Sequence, residues 1–148
     1  MIFLYLIFLI SLINVLEHIK NPIGLVNDLY DRMHRGAMMV FEVPRHPSVA
    51  SLANLTHHSI IYRHITPPVH LQIFSDKAIN MILEGKFRLL GKWEFGQGFT
   101  DLINYAMISS DTHENELYDE VMKASNSIQF AIDKAGLADQ ILVIAQKV

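Results

Sequence analysis

Asp139-Gln140-Ile141-Leu142-Val143-Ile144-Ala145 is the stretch on which the fold class turns. Five apolar residues in a row, three of them β-branched, are too few for a helix of ordinary length and suit a buried strand; a terminal helix is the other interpretation. As a strand, the stretch enters a sheet that can bury the apolar stripes of the helices before it. The expected class is then α+β, several helices packed on a small sheet. If this stretch and the run around Ile61 were both helical, the chain would be an all-α bundle.

Working backwards, Gly136 is placed to stop a long helix over residues 112–135. Asp111 and Glu114 form a variant capping box at its start, and Leu117, Val121, Ala124, Ile128, Ala131 and Ala135 recur in steps of four and three. The favoured role of this seam is to cover the domain's own core, so that truncating Leu117 or Ile128 would leave a cavity. The alternative is a homo-oligomer through the 112–135 helix.

Earlier elements are marked by their punctuation. Asn21-Pro22 opens a helix through Leu25, Val26, Leu29, Tyr30 and Met33, with Gly36 as its end. A strand follows over Ala37–Val43, then a short helix from the N-cap Ser48. Ser59–Ile65 and Val69–Phe74 look like two strands joined at Thr66-Pro67-Pro68, the second alternating Val69, Leu71 and Ile73 with His70 and Gln72. Ser75 caps a helix through Ile82 and Leu83 that ends at Gly85. Lys86–Leu90 is a short strand, Gly91, Gly96 and Gly98 punctuate a loop, and a further helix starts near Thr100.

The N-terminus carries the strongest single signal. Residues 2–16 read IFLYLIFLISLINVL and end at Glu17, His18 and Lys20. As a helix this run spans roughly 22 Å, short of the ~30 Å hydrocarbon thickness, so it suits a signal-peptide core or a signal-anchor better than a standard transmembrane helix. No basic start and no Ala-x-Ala site accompany it. The other interpretation is a core segment, helix or long strand. The expected organisation is an apolar segment over residues 1–20 and one globular domain over residues 21–148. The expected setting is a membrane, through residues 2–16, or the secretory pathway, with a cytoplasmic protein that buries the run as the alternative.

Composition narrows the chemistry. With 148 residues, 51% hydrophobic and 18% charged, the chain has a core and no disorder signature. A net charge of -3 leaves no basic surplus for phosphates, so no nucleic-acid partner is expected. Cysteine is absent, which excludes thiol nucleophiles and thiolate metal sites and leaves His, Asp and Glu as ligands.

Eight histidines are present, and His57, His58, His64 and His70 fall within fourteen residues. His58, His64 and His70 are six apart, an even spacing that lets extended backbone place them on one face, and imidazole is both the commonest metal ligand and the group that titrates near neutrality. These three are the candidate catalytic or metal residues. No H-E-x-x-H spacing occurs, Pro67-Pro68 restrict convergence, and any carboxylate partner must come from elsewhere, so tight zinc binding by this cluster is not expected. The Gly91–Gly98 loop, before a helix, could cradle an anion on its amides, but it matches no glycine fingerprint and no cofactor is implied. Carboxylates at Asp111–Glu120 look like a solvated helix face. With no specific catalytic motif, the expected function is a non-enzymatic accessory protein acting through contacts with an unidentified protein partner. The alternative is a small histidine- or metal-dependent enzyme.

Overall fold

From Gln140 the 139–145 stretch is a strand, and it lies inside the sheet. The computed structural model describes residues 7–56, 63–64, 66–109 and 116–148. Strands β1 (Ile7–Ile13), β2 (Met33–Pro44), β3 (Phe87–Phe95) and β4 (Gln140–Lys147) form one sheet in the order β1-β2-β4-β3. β1 and β2 are parallel, while β4 runs antiparallel to both its neighbours. Five helices accompany them: α1 (Pro22–Arg32), α2 (Val49–Thr56), α3 (Asp76–Leu83), α4 (Gly98–Ser109) and α5 (Glu116–Lys134). Because the parallel β1–β2 pair is joined by a helical crossover, the class is α/β with a mixed sheet. The α+β expectation holds only as far as helices on a small sheet.

Period-two burial sets the register. Met39, Phe41 and Val43 of β2 stand opposite Ala145, Val143 and Ile141 of β4, and all six are buried. A slip by one residue would turn this whole set to the other face, so the pairing is strongly specified. Val26 of α1 and Ile79, Ile82 and Leu83 of α3 close the same core.

Caps fix the helices that do this packing. Asn21 Oδ1 accepts from the Gly24 amide at 2.9 Å, and Ser75 Oγ accepts from the Ala78 amide at 3.2 Å. At the other end of α1, Lys147 Nζ donates to the carbonyls of Tyr30 (2.6 Å) and Met33 (3.0 Å) and lies over the Tyr30 ring. One β4 cation thus adds a donor at the helix end, to the Tyr30 carbonyl, which also accepts the Met33 amide, and to the Met33 carbonyl.

Four expectations need correction. From Ile7 the N-terminal run is a strand paired with β2, with Ile10 and Leu16 buried, and residues 1–6 lie outside the described set. Its β-branched and aromatic residues find a parallel partner that an apolar helix does not need. No helix among the described residues is long and apolar enough to cross a membrane, and the membrane and secretory expectation is corrected accordingly. Gly36, with φ +82°, lies within β2; the helix ends before it, at Arg32. Val69–Phe74 forms no strand; its single bridge is Phe74 to Arg45. The partner run is mostly outside the described residues, as are Asp111 to Glu114 of the capping box.

The fourth correction concerns α5, whose seam does not face inward. Leu117 is 62% and Ile128 48% exposed, whereas Ser125 and Gln129 are buried. The reason lies at the start of α4, whose first amides need acceptors: Gln129 Oε1 takes the Phe99 amide at 2.7 Å, and Tyr118 Oη donates to Asn104 Oδ1 at 2.7 Å. Polar capping across the α4–α5 contact outranks the apolar stripe.

Phe41→Ala is expected to cost ~3 to 5 kcal/mol, as a large core truncation. Leu117→Ala and Ile128→Ala are expected to cost about 0.5 kcal/mol or less, because both side chains are already largely in solvent. Urea unfolding midpoints at unchanged m-value compare the three.

Candidate functional site

In sheets with parallel strands, ligand crevices open at the carboxyl ends of those strands. Here the carboxyl end of β1, the end of β3 and the start of β4 meet around a crevice of about 490 Å³. Asn14, Glu17, Arg63, His64, His70 and Gln97 supply its polar wall. Asn14 has φ +52°, a left-handed conformation that asparagine tolerates better than most residues. That kink turns the chain out of β1 into a 3-10 turn over Leu16–His18, which places Glu17 at the crevice.

Asp139 is the carboxylate that the histidine cluster lacked in sequence. It is buried at the start of β4, and its Oδ1 accepts the amides of Gln97 (3.0 Å) and Gly98 (3.2 Å). Its Oδ2 lies 3.2 Å from His64 Nε2 and accepts from Arg63 Nη2 at 3.2 Å. The Gly96–Gly98 loop does cradle an anion, and the anion is the protein's own. A Cβ on Gly96 would come 1.6 Å from Asp139 Oδ1, and one on Gly98 would meet Ala50 Cβ at 2.7 Å. Gly96 lets the carboxylate in, and Gly98 lets Ala50 of α2 come close. Burial pushes the Asp139 carboxyl up, but the His64 hydrogen bond, the Arg63 charge and the Gly98 amide outweigh it and hold the group below the usual range. Asp101, 3.4 Å from Arg63 Nη1, goes the other way, raised chiefly by burial.

The predicted site residues separate. His64 is committed to Asp139. His70 reaches back over the Thr66–Val69 turn, so that its ring stacks on that of His64 with centroids 6.0 Å apart. His57 and His58 lie outside the described residues. The structure adds two residues that spacing did not single out, Glu17 and His18. The His18 and His70 rings meet edge to face at 4.8 Å, and ligand atoms of Glu17, His18 and His70 lie within 4.8 Å of one another. Their only trace in sequence is a charged pair directly after a long apolar run.

No protein-family model matches the chain, and no curated protein matches it. Solved structures do. A SAM dependent methyltransferase from Archaeoglobus fulgidus aligns with TM-score 0.56 at 19% identity, over 96% of this chain and 60% of that one. The StiE O-MT domain aligns at 0.51 and 11%, and the [4+2]-cyclase SpnF at 0.53 and 11%; each alignment covers 96% of this chain, with 44% and 51% of the respective neighbour. The chain therefore spans 44–60% of these neighbours' length. What is shared is the fold, a methyltransferase-like α/β sheet, and the cyclase among these neighbours indicates that one fold hosts more than one reaction. The expectation of a membrane-bound accessory protein without catalytic activity is corrected to a methyltransferase-like fold.

A depressed carboxyl pKa stabilises the fold above the unfolded value of about 3.9 and ceases to do so as pH falls through the folded value. The stability difference between the wild type and Asp139→Asn is therefore expected to stay constant from pH 7 to about 5 and to shrink below about 4. Chemical denaturation across that range measures it. A difference that persists unchanged to pH 2 would mean that the charge on Asp139 contributes nothing.

Proposed function

We propose that this chain carries the reaction crevice of a methyltransferase-like enzyme, in which His64 takes the proton from a hydroxyl or amine acceptor. The observation that carries the proposal is the buried His64–Asp139 pair at 3.2 Å, facing a crevice at the carboxyl end of a methyltransferase-like sheet.

The chemistry follows from the pair. A carboxylate only accepts, so Asp139 Oδ2 draws hydrogen to His64 Nε2, in competition with Arg63 Nε, a donor 3.1 Å from the same nitrogen; with the Asp139 bond made, the basic lone pair is on Nδ1. When His64 takes a proton, the imidazolium that forms is stabilised by the same carboxylate, as in other His–Asp pairs. Arg63, bridging Asp139 and Gln97 Oε1 (3.0 Å), holds the carboxylate in place.

The donor named for the Archaeoglobus neighbour, SAM, is a sulfonium nucleoside. The described loops assign it no cradle. The loop after β1 begins Asn14-Val15-Leu16 and that after β2 begins Arg45-His46-Pro47, with no glycine where backbone would approach a nucleoside closely. The crevice wall is imidazole, guanidinium and carboxylate. The chemistry supplied by the described residues is therefore confined to the acceptor side.

Incubation of the chain with methyl-labelled S-adenosylmethionine and a panel of small hydroxyl and amine acceptors tests the proposal. Label transfer is expected, with kcat lowered about 10²- to 10⁴-fold in His64→Gln and the acidic limb of the pH profile altered. Absence of transfer to every acceptor, or His64→Gln at the wild-type rate, would overturn it.

A further inference from the structure

Glu17 is 1% exposed, and its Oε2 has no hydrogen-bond partner among the described residues. A buried carboxylate oxygen without a donor is costly, and few such atoms survive in folded proteins without a reason. Asp139, the other buried acid of this crevice, is fully supplied with donors. A positively charged group is what Glu17 lacks.

The two imidazoles beside it are prepared to help. His18 Nδ1 lies 2.8 Å from the Val69 carbonyl oxygen, and His70 Nδ1 lies 3.3 Å from that of His64. A carbonyl accepts and never donates, so each ring keeps its hydrogen on Nδ1 and its lone pair on Nε2. Such carbonyl contacts behind the ring are how metal-binding histidines are commonly oriented. The backbone enforces the arrangement, because the Leu71 amide donates to the Glu17 carbonyl at 2.8 Å and Gln72 Nε2 donates to that of Ile19 at 2.6 Å. The segment carrying His70 is thereby clamped against the turn carrying Glu17 and His18.

We infer that Glu17, His18 and His70 form a binding site for a first-row divalent cation, with the carboxylate and the two Nε2 atoms as ligands. His18 Nε2 is 3.9 Å from Glu17 Oε1, and the three ligand atoms lie within 4.8 Å of one another. Metal bonds of about 2.0–2.2 Å require them to draw together, which small side-chain rotations provide. Two nitrogens and one oxygen suit zinc, manganese or iron(II) better than magnesium or calcium, which prefer all-oxygen sets. Three protein ligands with His18 partly exposed leave a position open toward the crevice, the pattern of a reactive metal site. Glu42 reports the same local excess of negative charge: its carboxyl is raised by burial and next by the charge of Glu17. This inference concerns residues other than the His57, His58 and His64 part of the sequence cluster, and it stands whether or not the crevice transfers methyl groups.

Zinc chloride titrated calorimetrically into the full, chelator-treated chain at pH 7.5 tests it. One saturable site at micromolar affinity or tighter is expected, with weaker binding at pH 5.5 as protons compete for the imidazoles. Glu17→Gln and His70→Ala should each weaken binding at least tenfold, while the His58→Ala/His64→Ala double variant and the remote His34→Ala retain it. Far-UV circular dichroism identifies any variant that fails to fold, and His70→Ala, on a loop, keeps the test decisive if Glu17→Gln does. Absence of saturable binding in the wild type, full affinity in folded His70→Ala, or loss of binding in the folded His58/His64 double variant would each overturn the inference.

Discussion

A buried carboxylate in a cradle of amides is the constraint around which the crevice end of the molecule is arranged. Taking Asp139 out of water is costly unless donors replace its hydration. Four do: two backbone amides from the turn after β3, one guanidinium and one imidazole. Its own carbonyl accepts the Arg45 amide at 2.8 Å, so the residue also ties β4 to the end of β2. Arg45 continues the network, with a bidentate pair to Asp76 at 3.0 and 3.1 Å and a hydrogen bond to the Gly136 carbonyl. Helices α3, α4 and α5 are thereby fixed relative to the sheet by charge-assisted hydrogen bonds at one end. Apolar packing holds α1 and α3 along one face.

The contrast between the two buried acids is informative. Asp139 is saturated with donors and serves as a structural anion that also orients His64. Glu17, one turn beyond β1, has an oxygen unanswered among the described residues, beside two lone pairs. The same crevice therefore holds one carboxylate whose charge is already balanced and one whose charge is not. Function is sought most economically at the second kind of group, because a fold that merely needed stability would have no use for it.

Where local rules act alone, the elements were legible in the chain itself. The caps at Asn21, Ser48 and Ser75, the left-handed glycines Gly85 and Gly136, and the β-branched tail all stand where their chemistry places them. What stayed hidden depended on distant partners. Phe87–Phe95 reads as a short strand followed by a loop until β4 supplies its hydrogen bonds, and the apolar stripe of α5 reads as core until α4 claims Gln129 as a cap. The histidine count drew attention to residues 57–70, and His64 and His70 do meet there. Their partners Asp139, Glu17 and His18 are separated from them by roughly 45 to 75 positions, which no spacing rule spans.

The insertion of β4 between β2 and β3 also governs how the molecule can assemble. Met39 meets Ala145 only by closing a loop on the order of a hundred residues, an entropic cost that must be met before any contact in that pair is gained. Until then the β1–β2 ribbon and β3 have no common partner, and the apolar side chains of Phe41 and Val43 stay bare. Sheets ordered this way fold slowly compared with hairpin-connected ones, because their contacts are remote in sequence. In kinetic terms β4 is a late-arriving keystone, and the period before its arrival is when the chain is most exposed to aggregation and to chaperone capture.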